Sequence, residues 1–321
     1  MNTLVQVGKS GVAVPRIGFG ATALADMPDT YGYSVSEERA LATINAILDQ
    51  PNGFIDTSRN YGLGRSEALI GKVVRQRGGW PAGRILSTKL DRDMDNLRFD
   101  AGQARRSVEE SLAALAVDRV DILHLHDPEY APDLADVTRP GGALDALMRM
   151  KEEGLTQAVG LAMGRTDLFM QLLADWPFDV LLSHNRYSLL NRSAGPLFDQ
   201  AATRGIAVMN AAPFAGGILA KGSNHTSRIT YQEADDASLS AVRSIEDICA
   251  RNAIPTGSAA LQFSVCDLRV TSTVIGVSRP DRVQQAIDWA LAGLPGPVFD
   301  ELSAVTFSIE DPEANRHYVP G

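Results

Sequence analysis

The sequence predicts an α/β fold, a (β/α)8 TIM barrel with an N-terminal β-hairpin closing the bottom, and three observations point to it. Short β-like runs alternate with longer helix-like segments almost from end to end, which predicts parallel strands joined by helical crossovers. Eight such runs follow the hairpin, each with helix after it, the count of a closed barrel. The first of them enters Gly18-Phe19-Gly20-Ala21-Thr22 with no third glycine at dinucleotide-fold spacing, which weighs against the doubly wound open sheet that alternation alone also allows.

Leu4 to Val7 and Val12 to Pro15 flank Gly8-Lys9-Ser10-Gly11 and read as a hairpin with a glycine-containing turn. Strand candidates follow at Ile17 to Gly20, Phe54 to Asp56, Ile85 to Lys89 and Val120 to His126, then at Ala158 to Ala162, Val180 to His184, Ala207 to Ala211 and Ser272 to Gly276. Helix candidates lie between them at Ser36 to Gln50, Ser66 to Arg77, Gly141 to Glu153, Asp167 to Ala174, Ala194 to Arg204, Gly257 to Phe263 and Pro280 to Ala292. Two more rest on spacing alone. Val108, Leu112 and Leu115 follow one apolar face behind Glu109-Glu110, and Val242, Ile245, Ile248 and Cys249 follow another that should end near Asn252, ahead of Pro255. Beyond Gly293, Pro295, Pro297, Pro312 and Pro320 predict a loop-rich tail over the outside or the mouth.

No repeat, low-complexity tract or Ser/Gly linker divides the 321 residues, so 1–321 reads as a single barrel domain. With 45% apolar and 21% charged residues the chain can fill a large core. A net charge of −9 and a sequence pI near 5.1 argue against nucleic acid or an anionic membrane as partner. Cys249 and Cys266 are too few for a disulfide framework and too isolated for a structural zinc site, and both read as buried reduced thiols. No charged-then-apolar leader and no run of 18 apolar residues is present, so the expected location is the cytoplasm. The sequence leaves the oligomeric state open.

In such a barrel chemistry belongs at the C-terminal ends of the strands. The second strand ends at Asp56 with Tyr61 in the loop beyond, the third at Lys89, the fourth at His126-Asp127-Pro128. Taken singly, each has a bland reading as a cap, loop packing, a solvated charge or a core histidine. Together they make a proton-transfer site: a phenol near pKa 10 needs a neighbouring cation to ionise usefully, Lys89 supplies it, Asp56 holds the ammonium, and His126 orients a carbonyl oxygen. No Ser-His-Asp order, zinc-like His spacing or P-loop competes, and no metal is expected.

From the hairpin to the helix at Pro280 the sequence resembles the aldo-keto reductase family. The resemblance is carried by Phe54-Ile55-Asp56-Thr57-Ser58-Arg59-Asn60-Tyr61-Gly62-Leu63-Gly64-Arg65-Ser66-Glu67, Ser87-Thr88-Lys89, Ser107-Val108-Glu109-Glu110-Ser111-Leu112 and Val120 through Pro128. It implies a catalytic tetrad of Asp56, Tyr61, Lys89 and His126, with Tyr61 as acid in reduction and base in oxidation, and a nicotinamide cofactor, NAD or NADP. By the same resemblance Gly20, Asp56, His184, Phe214, Gly216, Gly217 and Leu219 contact the cofactor. So do Gly276, Val277, Ser278, Arg279, Arg282 and Gln285, around the adenosine phosphate. Some positions depart from the family: Ala162-Met163 replaces a Ser-Asn pair, His184 replaces the carboxamide-contacting Gln, and Ala211 replaces the stacking aromatic, leaving Phe214 as substitute. Gly276 stands where many NADP-dependent members carry Lys, and Gln285-Ala286 replaces Glu-Asn, so NAD is favoured over NADP.

Within the family the Asp56 to Glu67 stretch is most similar to sugar dehydrogenases acting on L-fucose, D-threo-aldoses or L-galactose, with pyridoxal 4-dehydrogenases also alike. The resemblance therefore implies oxidation of an aldose at C1 to the lactone, the small-molecule substrate being met by Tyr61, His126, Arg59 and Asp127. The alternatives are an NADPH-dependent aldehyde or ketone reductase or a pyridoxal 4-dehydrogenase, and, more remotely, a non-catalytic redox-sensing binding module like the channel β subunits of this fold.

Overall fold

A computed structural model of the chain describes residues 4–314, so Pro320 of the predicted tail lies outside the described residues. After the hairpin strands β1 (Leu4–Gln6) and β2 (Ala13–Pro15), six barrel strands follow: β3 (Ile17–Gly20), β4 (Phe54–Asp56), β5 (Ile85–Leu90), β6 (Val120–His126), β7 (Thr156–Met163) and β8 (Val180–His184). The seventh is β9 (Ala207–Ala211); a two-residue pair, β10 (Arg228–Ile229) and β11 (Gln232–Glu233), precedes the eighth, β12 (Ser272–Gly276). The eight parallel strands close as β12-β3-β4-β5-β6-β7-β8-β9, so the closed alternative, not the open sheet, is the fold.

Period-two alternation along each strand builds two separate apolar layers. Phe54, Ile122, Val180, Leu182, Met209 and Val274 point into the barrel, where Val7, Val12 and Val14 of the hairpin join them. The hairpin thus plugs one end, and its Gly8 lies so close to the Asp179 carbonyl at the start of β8 that a Cβ would sit 2.6 Å from it. That is the N-terminal end of the strands, which leaves the opposite end open for chemistry. Their neighbours Ile55, Leu123, Leu181, Val208 and Ile275 point outward and are covered by helices.

Those helices fall where the apolar spacing places them. Ser36 caps Glu37–Leu48 and Asp100 caps Ala101–Leu115, each accepting from a first-turn N–H. Val242, Ile245, Ile248 and Cys249 are all buried on Asp236–Arg251, which ends at Asn252. Two expectations need correction, and one strand pair was not foreseen. The tail is not only loop: Gly296–Ser303 is helical, because Pro297 sits in its first turn, where a missing N–H costs nothing, while Val298 and Leu302 are buried one turn apart. Cys266 is exposed, since it falls just past the end of helix Thr256–Val265, where the apolar face stops. The β10–β11 pair had no apolar signal, being half-buried or exposed throughout. Among the described residues no helix is long and apolar enough to cross a membrane.

Candidate active site

Parallel register delivers the predicted residues to one rim. Asp56 pairs with Ser87 across β4 and β5, and Lys89 with His124 across β5 and β6, so the ends of three adjacent strands project Asp56, Lys89 and His126 inward together. Lys89 Nζ lies 2.7 Å from Asp56 Oδ2 and donates to the Thr57 carbonyl, also at 2.7 Å. Asp56 Oδ1 accepts from Ser87 Oγ at 2.8 Å. The ammonium is fully buried and 4.8 Å from the centre of the Tyr61 ring. Tyr61 stands edge-on to His126, with ring centres 5.9 Å apart and planes at 84°.

The Tyr61 loop owes its path to three successive left-handed residues, Gly62, Leu63 and Gly64, which turn the chain into helix Arg65–Arg77. At Gly62 a Cβ would press to 2.8 Å on that of Ala25, so only glycine fits both the conformation and the space. His126 is followed by Asp127, a non-glycine at φ 46°, which turns its carboxylate back so that Oδ2 lies 3.7 Å from His126 Nε2.

The electrostatics differ in one respect from the sequence expectation. Burial opposes the Lys89 charge, but Asp56 and Tyr61 outweigh it and keep the ammonium protonated well above the ordinary lysine range. Burial also raises the Tyr61 phenol; Lys89 pulls it down without overcoming that cost, so Tyr61 is a neutral phenol here rather than a ready phenolate. For His126, burial is outweighed by Asp127 and Asp91, which raise the imidazole above its usual value.

Asp91 was not foreseen. It lies two residues past Lys89, on the same face by strand period, and accepts from His126 Nδ1 at 2.6 Å. A carboxylate at that offset from a site lysine is the signal that could have found it. Three tyrosines were also missed, because the loops that carry them are remote in sequence. Tyr31 and Tyr61 both hydrogen-bond Thr22, and Tyr31 packs against Tyr33 and, edge-on, Tyr231, each pair at 6.0 Å.

Other predicted residues divide. Arg59 is not brought to the tetrad: its Nε turns to Glu110 Oε2 on helix Ala101–Leu115, 3.1 Å away. His184 Nε2 is 3.1 Å from Glu313 Oε2, and Glu313 also takes Arg186 Nη1 at 2.7 Å, so the tail is tied over the end of β8. Phe214 meets Trp289 of helix Pro280–Leu291 edge-on at 6.3 Å, which directs it toward that helix.

Most of the residues expected to meet a dinucleotide lie on loops around the ends of β9 and β12 and on the helix after β12. Gly216 and Gly217 are left-handed, at φ 76° and 104°, and at Gly216 a Cβ would come within 2.8 Å of the Thr230 nitrogen. At Gly276 a Cβ would meet nothing within 4 Å, so Gly276 borders free space at the end of β12. Helix Pro280–Leu291 begins beyond Arg279 without a side-chain cap, leaving first-turn N–H groups for an anion, with Arg282 exposed beside them. Leu219 and Val277 have buried side chains, so their backbone is what they can offer. Gly20 closes β3 beside Asp56, its partner in register, and Ser278 and Gln285 are half-buried near the helix start.

The profile of the Aldo/keto reductase family matches residues 16–305. D-threo-aldose 1-dehydrogenase of a Pseudomonas species is 28% identical over 92% of this chain and 94% of its own length. L-galactose dehydrogenase of Arabidopsis thaliana is 30% identical over 88% of this chain and 86% of its own. Among solved structures, the holo form of an aldo-keto reductase from Bacillus halodurans superposes with a TM-score of 0.75, at 19% identity, over 98% of this chain and 99% of that one.

Proposed function

Because the chain belongs to the aldo/keto reductase family, whose members are NAD(P)-dependent oxidoreductases, we propose that it oxidises an aldose at C1 to the lactone, with NAD preferred. The observation that carries this reading is the convergence of Asp56, Tyr61, Lys89 and His126 at one rim, with Asp127 beside His126 Nε2 to accept from a second hydroxyl of a polyol substrate. The sugar dehydrogenases among its relatives support the substrate class.

The cofactor would be held by Gly216, Gly217 and Gly276 and by the start of helix Pro280–Leu291, and its oxidised nicotinamide supplies the hydride acceptor. Tyr61 takes the proton of the C1 hydroxyl as the C1 hydrogen leaves with its electron pair. The hemiacetal becomes a lactone, and one proton is finally released. Lys89, hydrogen-bonded to the Tyr61 side chain, stabilises the phenolate, Asp56 holds Lys89 in place, and His126 meets the substrate oxygen through Nε2. NAD is favoured by Gly276, which brings no cation, and by Asp281, whose carboxylate 3.4 Å from Arg279 Nη2 would oppose a 2′-phosphate.

A second reading, carbonyl reduction, has one observation of its own: a phenol raised by burial is protonated at neutral pH and ready to act as acid. The test is the initial rate with L-fucose, D-arabinose and L-galactose, each with NAD and NADP, at several pH values. Oxidation should quicken as pH rises toward the Tyr61 pKa, since its base form is the active one. Tyr61→Phe should remove turnover and leave cofactor binding within about twofold. Silence on every sugar, with aldehydes reduced by NADPH, would establish the second reading instead.

A further inference from the structure

We propose that Asp91 is a positioning residue for the reaction assigned above: it fixes the tautomer of His126 and clamps the Tyr61 loop against that imidazole. The proposal rests on the oxidoreductase reading of the site. Its carboxylate binds donors from two different elements. Oδ1 takes Nδ1–H of His126, at the end of β6, at 2.6 Å. Oδ2 takes Ser58 Oγ at 2.6 Å and the Asn60 N–H at 2.9 Å, and both belong to the loop that carries Tyr61. Ser58 Oγ is itself 3.2 Å from His126 Nδ1, closing the triangle.

The carboxylate is rigid as well as central. Asp91 is 2% exposed, its N–H donates to Ser107 Oγ at 2.9 Å, and its carbonyl accepts from Gln103 Nε2 at 3.1 Å, both partners on helix Ala101–Leu115. Two consequences follow from this geometry. With the proton pinned on Nδ1, Nε2 is the nitrogen turned to the open side, where Asp127 Oδ2 lies 3.7 Å away and a substrate oxygen can be met. And because one carboxylate holds both His126 and the residue before Tyr61, the 5.9 Å separation of the two rings is fixed by it.

The charges around the imidazole come from every neighbouring element. Lys89 on β5 opposes a positive His126, Asp91 and Asp127 favour it, His124 on its own strand is held neutral by burial, Lys89 and His126, and Tyr61 and Asp56 lie across the site. Removing Asp91 therefore shifts the imidazole toward its neutral form as well as freeing its ring to turn.

The experiment uses the full chain with Asp91→Asn and Asp91→Glu, and Ser58→Ala as a milder variant should the first two fail to fold. Folding is checked by circular dichroism, cofactor affinity by fluorescence titration, and kcat and KM across pH on a substrate the wild type turns over. The His126 Nδ1 proton is followed by NMR on 15N-labelled protein without substrate. Expected for Asp91→Asn is a fall in kcat of about 10- to 100-fold, with KM and cofactor affinity within about threefold. The limb of the pH profile belonging to His126 should move to lower pH, and the strongly downfield Nδ1 proton of the wild type should vanish. Ser58→Ala should move both in the same direction by less. A wild-type protein lacking that downfield proton overturns the pair itself. Folded Asp91→Asn, or Ser58→Ala where it alone folds, with unchanged kcat and pH profile shows a merely structural carboxylate. The proton is read without substrate, so silence on every sugar and aldehyde would sink the reading of function while the pair is still decided by NMR.

Discussion

Lys89 and Asp56 make the strongest stability prediction, because their pairing is buried and belongs to the proposed proton-transfer site. The ammonium is fully buried, the carboxylate 4% exposed, and their atoms 2.7 Å apart. Removing one partner of such a pair leaves an uncompensated charge in a dry site, which costs about 3–5 kcal/mol, whereas replacing both with neutral groups is close to neutral. Lys89→Met should sit near the top of that range, since Asp56 is left with only Ser87 Oγ as donor. Asp56→Asn should sit near the bottom, because Lys89 keeps the Thr57 carbonyl at 2.7 Å. The double variant should recover at least about 2 kcal/mol of the summed loss, as neighbours in one network are non-additive. Urea unfolding of the four proteins measures this. Activity supplies the second half of the argument: the double variant regains stability but not turnover, because Tyr61 still lacks its cation. Single variants within about 1 kcal/mol of wild type, or a double variant as unstable as the two losses added, would refute the reasoning.

Three further outcomes are expected. Arg282→Ala should weaken NADP binding by about tenfold and NAD by less than about twofold, measured by fluorescence titration, if its guanidinium meets the 2′-phosphate. Glu67 is fully buried, and burial raises its carboxyl to about 7, above its unfolded value. The folded state therefore binds the extra proton between about pH 4.5 and 7, and stability falls as pH rises through that window. Glu67→Gln removes the fall, so its stability relative to wild type should grow from pH 5 to pH 8 in urea titrations. Burial opposes the Glu313 charge, but His184 and Arg186 hold that carboxyl far below the usual range, so its contribution is present at neutral pH and lost only in strong acid. Glu313→Ala should cost about 1–3 kcal/mol at pH 7, because Arg186 keeps Asp311 at 2.6 Å, and should speed proteolytic cutting of the tail.

Local pattern and long-range chemistry were unequally legible in this chain. The strands β3, β4, β6, β8, β9 and β12 have the bounds their sequences predict, because each is a short β-rich run bounded by turn or polar residues. β5 and β7 run one or more residues further than predicted, where Leu90, Thr156 and Met163 remain in the ladder. The convergence of Asp56, Lys89 and His126 was legible for a different reason: they lie at or next to the ends of successive strands, which a parallel barrel brings together whatever lies between them, and Tyr61 follows Asp56 in the adjoining loop. Arg59 was misjudged by the same logic. It lies two residues before Tyr61 in the loop, but a loop residue has no register to aim it, and Glu110 on the neighbouring helix claims its guanidinium.

What the sequence hid is what depends on contact between distant segments. Tyr231 meets Tyr31 across 200 residues, Glu313 meets Arg186 across 127, and neither pair leaves any periodic trace. Asp91 is the instructive intermediate, since its position two residues past Lys89 was readable while its partner 35 residues on was not. A buried carboxylate with three donors is an expensive thing to build: burial alone pushes its proton affinity up, and only His126, Ser58 and Asn60 together bring it down. A chain that needed only to hold the loop could have used an amide or a hydroxyl at that place. The charge is explained when its partner is an imidazole that, on the proposed function, faces the reacting oxygen through one nitrogen and is held through the other.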